Sequence, residues 1–167
     1  MSDGESAIRW PEEHRPEVSA LHAVNELQMD APREHVWAWL VRPELWPTYY
    51  SNARFIRHRA GAWPEVALYS SFRWLTFGVI VHSEIVEIEP RQRIAWSARE
   101  LGARGHHGWV LTDRDSGTFV RTEETQRGWS MAIAKPVMSR LMVRQHQKWL
   151  EGLARVAAEG PPPPPEA

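Results

Sequence analysis

The sequence predicts an α+β domain: a curved antiparallel sheet of six to seven strands around one long C-terminal helix, with two short helices after the first strand. Three observations predict it. Between residues 54 and 126 the chain is a series of segments of five to thirteen residues, rich in β-branched and aromatic side chains and separated only by turns. No helical stretch lies between them, so parallel crossovers are excluded by length. From Trp129 to Glu159 an apolar stripe recurs at i, i+3, i+4, and this is the one helix long enough to cover a sheet face.

The elements follow in order. Residues 1–17 are charged, carry two prolines, show no periodicity and read as a flexible arm. Val18 to Met29 alternates loosely and reads as the first strand. Asp30-Ala31-Pro32-Arg33-Glu34 then opens a helix, with Pro32 suited to the first helical position and Glu34 placed for a capping box. Val36, Trp37, Leu40 and Val41 form its apolar face, and Pro43 ends it. A second short helical segment, residues 43–50, contains Pro47, which biases Trp46 away from the α region.

The expected strands are then 54–59, 66–74, 77–89, 93–99, 106–112 and 118–126, with hairpin turns at Glu89-Pro90-Arg91-Gln92 and at 113–117. In the final helix Val137, Leu141, Gln145 and Trp149, with Met138, Met142, Leu150, Leu153 and Val156, form the stripe. Pro136 marks the start of its regular part or a kink, and Arg140, Arg144, Lys148 and Glu151 its wet side. Residues 160–167, Gly160 and then five prolines, read as a disordered tail, which leaves 18–159 as the domain.

Composition excludes several function classes. Net charge is −1, so no bulk field recruits nucleic acid. There is no cysteine, hence no disulfide and no thiolate chemistry, in keeping with a cytoplasmic protein. No apolar run is long enough for a membrane span, and the N-terminus lacks the apolar core of a signal peptide. Ten tryptophans in 167 residues serve either a tryptophan-rich core or an aromatic-walled cavity.

Strand alternation then selects candidate site residues. Val79, Val81, Ser83 and Ile85 share the more apolar face of their strand, so Ser83 points inward and His82 and Glu84 outward. Trp96 shares an inner face with Ile94 and Ala98. In the last hairpin a loop of residues 114–117 pairs Asp113 with Thr118, Leu111 with Val120, Trp109 with Thr122 and His107 with Glu124, whereas a one-residue slip flips the set. The first register is preferred because it gathers the apolar residues on one face. It makes His107 and Glu124 a cross-strand acid–base pair, or else a satisfied polar pair that closes the sheet. The candidate ligand-binding residues are Trp74, Ser83, Trp96, Trp109 and Trp129, and the candidate catalytic residues His107 and Glu124.

No metal site is expected. The histidines at 14, 22, 58, 82, 106, 107 and 146 show no ligand spacing, and His106 and His107 point to opposite faces of a strand. No phosphate loop or nucleophile elbow is present, and no cofactor is expected.

The pieces Phe72-Arg73-Trp74, Ser83, Glu87-Ile88-Glu89-Pro90, Ala95-Trp96, His107-Gly108-Trp109 and Thr122-Glu123-Glu124, together with the Pro- and Trp-bearing helices of 30–52, resemble the SRPBCC superfamily. These START-like, helix-grip proteins include a polyketide cyclase/dehydrase-like subgroup, and the likeness runs from about Ala20 to Ala158. It implies a helix-grip fold with a cavity between sheet and helix. That fold hosts carriers, receptors, cyclases and hydrolases, so it does not by itself assign a reaction. Three functions stay open: a module binding a hydrophobic, aromatic or polyketide-like small molecule; a cyclase or dehydratase using His107 and Glu124; and a protein-interaction or regulatory domain using the outer sheet face and the proline tail. An apolar cavity without a titratable pair favours carriage, a His/Glu pair in contact inside it favours catalysis, and a filled cavity beside an exposed apolar patch favours a protein partner.

Overall fold

A computed structural model describes residues 8–165. Seven strands form one antiparallel sheet in the order β1-β7-β6-β5-β4-β3-β2, so that only the first strand leaves the meander, crossing over to pair with the last. The strands are β1 (Leu21–Met29), β2 (Arg54–Ala60), β3 (Ser71–Thr76), β4 (Val79–Glu89), β5 (Arg93–Glu100), β6 (Ala103–Arg114) and β7 (Gly117–Arg127). Helices α1 (Arg33–Leu40) and α2 (Trp46–Tyr49) follow β1, and α3 (Trp129–Glu159) closes the domain. This is the predicted α+β helix-grip architecture, and α3 has the predicted bounds.

Local chemistry explains the hairpins. Phe77 and Gly78, both at positive φ (50° and 78°), form the two-residue turn between β3 and β4, the backbone twist that suits a tight hairpin. Register shifts between Arg54 and Arg57, between His58 and Ala60 and between Ile85 and Glu87 mark bulges that bend the sheet around α3. The core joins α1, α2, the inner sheet face and the second half of α3, with Trp46, Trp96, Trp109 and Trp149 nearly inaccessible. The tryptophans at 46, 74, 96, 109 and 149 meet in a chain of tilted and T-shaped contacts, the arrangement ring quadrupoles favour.

Several expectations are corrected. Trp46 is helical (φ −51°, ψ −41°) despite Pro47. Its buried indole donates to Leu40 O at 3.0 Å, and Pro47 falls in the first turn, where its missing N–H leaves no bond unmade. Pro32 is the N-cap rather than the first helical residue, and Glu34 makes no capping bond but lies 3.9 Å from Arg91. β1 begins at Leu21 because Pro16–Val18 is a 3-10 turn. β3 begins at Ser71 because buried Val66 is pinned by its N–H to Val41 O at 2.9 Å. In α3 the buried stripe runs through Met142, His146, Trp149, Leu150, Leu153 and Val156, so it includes His146 rather than Gln145, and Val137 is 70% exposed.

The arm and the tail are also placed. Residues 1–7 and 166–167 of the expected flexible ends lie outside the described residues. Ile8 is buried against Gly108, Thr125 Oγ1 donates to His14 O at 2.8 Å, and Arg127 donates to Glu13 O at 2.8 Å. The segment from Ile8 to Val18 is therefore a strap over the outer face of β6 and β7. At the other end, Trp39 Nε1 donates to Gly160 O at 2.9 Å and Arg42 bonds Pro163 O, which lays the start of the tail on α1.

Candidate functional site

The inner face of β6 and β7 places the first two site residues. The register pairs His107 with Glu124, Trp109 with Thr122, Leu111 with Val120 and Asp113 with Thr118, the arrangement preferred from the apolar pattern. Since side chains alternate along each strand, His107 and Glu124 must then emerge on the same side, toward α3. There they meet His146, whose position on the stripe between Met142 and Trp149 aims it at the sheet.

The three groups are in contact. Glu124 Oε2 lies 3.2 Å from His107 Nδ1 and 2.9 Å from His146 Nε2. The two imidazoles overlap with centroids 4.7 Å apart. Gln126 donates to Glu124 Oε1, and Thr122 Oγ1 lies 2.8 Å from His107 Nε2 and 3.1 Å from Gly108 O. All three are buried: His107 is 2% exposed, Glu124 7% and His146 1%. His146 Nδ1 is buried without a hydrogen-bond partner among the described residues.

Burial and pairing compete in their titration. Burial would raise the Glu124 carboxyl, but His107, His146 and Gln126 outweigh it and hold the group down at about 2. Burial pushes His107 down to about 3, more than the neighbouring carboxylate lifts it. At neutral pH the pair is an ionised carboxylate beside a neutral imidazole, with no proton to spare between them.

This cluster forms the inner end of a cavity of about 480 Å³ between the sheet and the first half of α3. Most of the wall is carbon: Trp74, Val79, Trp96 and Ala98 from the sheet, Phe77 from the β3–β4 turn, Met131, Met138 and Met142 from α3. Tyr50 joins it, stacked on Trp149 at 4.5 Å.

Four of the candidate residues thus come together on the cavity wall: Trp74, Trp96, His107 and Glu124. Three do not line it. Ser83 points inward but is buried beneath Trp74, accepting its indole N–H at 3.1 Å, and does not reach the cavity wall. Trp109 shares the inner face but lies deeper, in core contact with Trp149 at 5.1 Å. Trp129, at the start of α3, is 65% exposed and lies over Gly102, where a Cβ would meet the indole at 2.6 Å. His146, Gln126 and Tyr50 were not singled out from the sequence. His146 could have been, as the one ionisable residue on the buried side of α3.

A family model described as polyketide cyclase / dehydrase and lipid transport matches residues 21–158. The chain belongs to this family. No curated protein matches its sequence. Among solved structures it is similar to the hypothetical protein jhp0584 from Helicobacter pylori (TM-score 0.85, 24% identity, covering 94% of this chain and 99% of that one). It is also similar to TTHA0849 from Thermus thermophilus (0.68, 19%, 83% and 97%) and to the di-domain ARO/CYC StfQ of the steffimycin biosynthetic pathway (0.68, 14%, 83% and 51%). At these identities the likeness is one of fold. No helix among the described residues is long and apolar enough to cross a membrane.

Proposed function

We propose that this protein binds an apolar small molecule between its sheet and the first half of α3. The observation that carries the reading is the cavity itself, whose volume of about 480 Å³ falls within the range of small-molecule sites and whose wall is mostly aromatic and methionine side chains with a few convergent polar groups. Flat aromatic surfaces such as Trp74 and Trp96 suit a planar ligand, in line with a family whose description includes polyketide cyclases. An open cavity argues against the protein-interaction reading, which a filled one would have favoured.

The test is titration with an environment-sensitive apolar dye, alongside the Ala98→Trp variant, in which the added indole occupies the cavity. Saturable one-to-one binding by the native chain, weakened at least about tenfold in Ala98→Trp with folding intact, supports the reading. Equal binding by both proteins rejects it. Native mass spectrometry of protein from its own host then identifies what is carried.

A second reading, acid–base catalysis of a cyclisation or dehydration, is favoured by one observation: His107, Glu124 and His146 touch one another at the cavity wall. Once a substrate is found, turnover unchanged in both His107→Ala and Glu124→Gln would eliminate this reading.

A further inference from the structure

The inner end of the cavity gathers a buried carboxylate and two buried imidazoles. Among the described residues the ion-pair partners of Glu124 are His107 and His146, with no lysine or arginine among them. A carboxylate buried in a mostly apolar space is costly unless a cation joins it.

We propose that His107 Nδ1, His146 Nε2 and Glu124 Oε2 bind one divalent transition-metal ion of the zinc type, with its remaining position open to the cavity. Three donor atoms, two of them imidazole nitrogens and one a carboxylate oxygen, all lie within 4.8 Å of one another. The two edges that meet at Glu124 Oε2 measure 2.9 and 3.2 Å. Bonds of about 2.0–2.2 Å in tetrahedral or octahedral angles put neighbouring ligand atoms roughly 2.9–3.5 Å apart, so both edges accept an ion with little movement. Three protein ligands and one open position is the pattern of a reactive rather than a purely structural site.

The outer contacts point the same way. The Thr122 hydroxyl has one proton and two neighbours, His107 Nε2 at 2.8 Å and Gly108 O at 3.1 Å. When neutral His107 keeps its proton on Nδ1, facing Glu124, Nε2 needs the hydroxyl proton and the bond to Gly108 O goes unmade. When an ion occupies Nδ1, Nε2–H donates to Thr122, Thr122 donates to Gly108 O, and both bonds form. Gln126 holds Glu124 Oε1 and leaves Oε2 for the ion. Such second contacts orient ligands in metal sites. A divalent ion would also add two positive charges at the cavity wall, which suits an oxygen-bearing ligand in an otherwise apolar cavity. With the ion bound, His107 Nδ1 and Glu124 Oε2 are ligands and cannot take up a proton from a substrate, so the site does one task or the other.

The experiment is titration of chelator-treated native chain with Zn²⁺ by calorimetry and with Co²⁺ by visible absorption, Mg²⁺ serving as the oxygen-preferring control. One equivalent of Zn²⁺ or Co²⁺ is expected to bind, with ligand-field bands for Co²⁺, and no Mg²⁺. His146→Gln and His107→Gln should lose the site, Thr122→Val should weaken it about tenfold or more, and His106→Gln and His58→Gln should leave it unchanged. Bound Co²⁺ should also quench tryptophan emission saturably at one equivalent, because the rings of Trp96 and Trp149 lie 4.9 and 5.6 Å from that of His107. This readout needs only the native chain, so it holds even where a variant fails to fold. No stoichiometric binding or quenching, or Zn²⁺ binding that persists in folded His146→Gln, overturns the proposal. No apolar ligand is present in these titrations, so their failure is separate from failure of the dye-binding reading.

Discussion

His106 and His107 are neighbours on one strand, both 2% exposed, and they belong to two different environments. His107 points inward to Glu124 and His146 and to the wall of a cavity. His106 points outward, where the N-terminal strap covers it: its ring lies 5.5 Å from that of Trp10 and 6.0 Å from that of His14. Burial dominates both, pushing His106 down to about 4 and His107 to about 3. The same desolvation therefore serves different ends. On the inner side it encloses the His107, Glu124 and His146 cluster, and on the outer side it accompanies the fastening of a short segment.

The largest test of the inner side is Trp109→Ala. Trp109 is fully buried and does not line the cavity, so its loss should cost about 3–5 kcal/mol, read by urea unfolding. A cost under about 1 kcal/mol would mean that the inner face is loosely packed throughout. The outer side is tested by pH. A histidine with a depressed folded pKa stays neutral in the native chain while the unfolded chain takes up a proton. The unfolded state then binds more protons between pH 6.5 and about 4, and stability falls as pH falls through that window. The shift corresponds to roughly 3 kcal/mol in full, about 2 of it lost by pH 5. The native chain should therefore lose about 2 kcal/mol more than His106→Gln between pH 7.5 and 5. Equal losses would show that His106 is reached by solvent in the native state.

How much of this was legible can be argued from the same hairpin. The pairing of His107 with Glu124 followed from placing Leu111, Trp109 and Val120 on one face, because a slip would expose all of them. The third member of the cluster needed the phase of α3, and a broad stripe fits two phases one residue apart, one through Gln145 and one through His146. Burial selects the second because Trp149 and Leu150 both face inward. The strap was not legible at all. It is held in part by carbonyls of Glu13 and His14 accepting from Arg127 and Thr125, and main-chain acceptors leave no mark on a hydrophobic pattern; the pairs of Arg9 with Glu87 and Glu89 join residues 78 and 80 positions apart, which no local pattern reveals. Trp109 and Trp129 show the same limit from another side: alternation places a residue on a face, but not at a depth or beyond a rim.

A smaller effect is expected where the strap approaches the sheet. A Cβ at Gly108 would come within 2.8 Å of the Ile8 side chain, which can move. Gly108→Ala should cost about 1 kcal/mol and loosen the strap, so that trypsin cuts after Arg9 faster than in the native chain while dye binding in the cavity is unchanged. If dye binding falls in step with cleavage, the two faces of the hairpin are coupled.

The smallest effect on stability should come from the cover of the inner face, which is itself divided. From Met142 onward α3 buries seven residues, but none of residues 129–141 is buried, and Ile133 is 75% exposed. That half spans the cavity, and Pro136 removes one of its helical hydrogen bonds. Ile133→Ser should change stability by no more than about 0.5 kcal/mol. By the same reasoning amide hydrogens of residues 132–141 should exchange well before those of 145–157, whose opening requires the core to open. Binding of the dye should slow the first group and leave the second alone, because the ligand supplies the first half of the helix with the apolar contact that Trp149, Leu150 and Leu153 already give the second. Uniform exchange along α3 would instead mean that the helix opens as one unit, and a ligand would then have to enter past a closed wall.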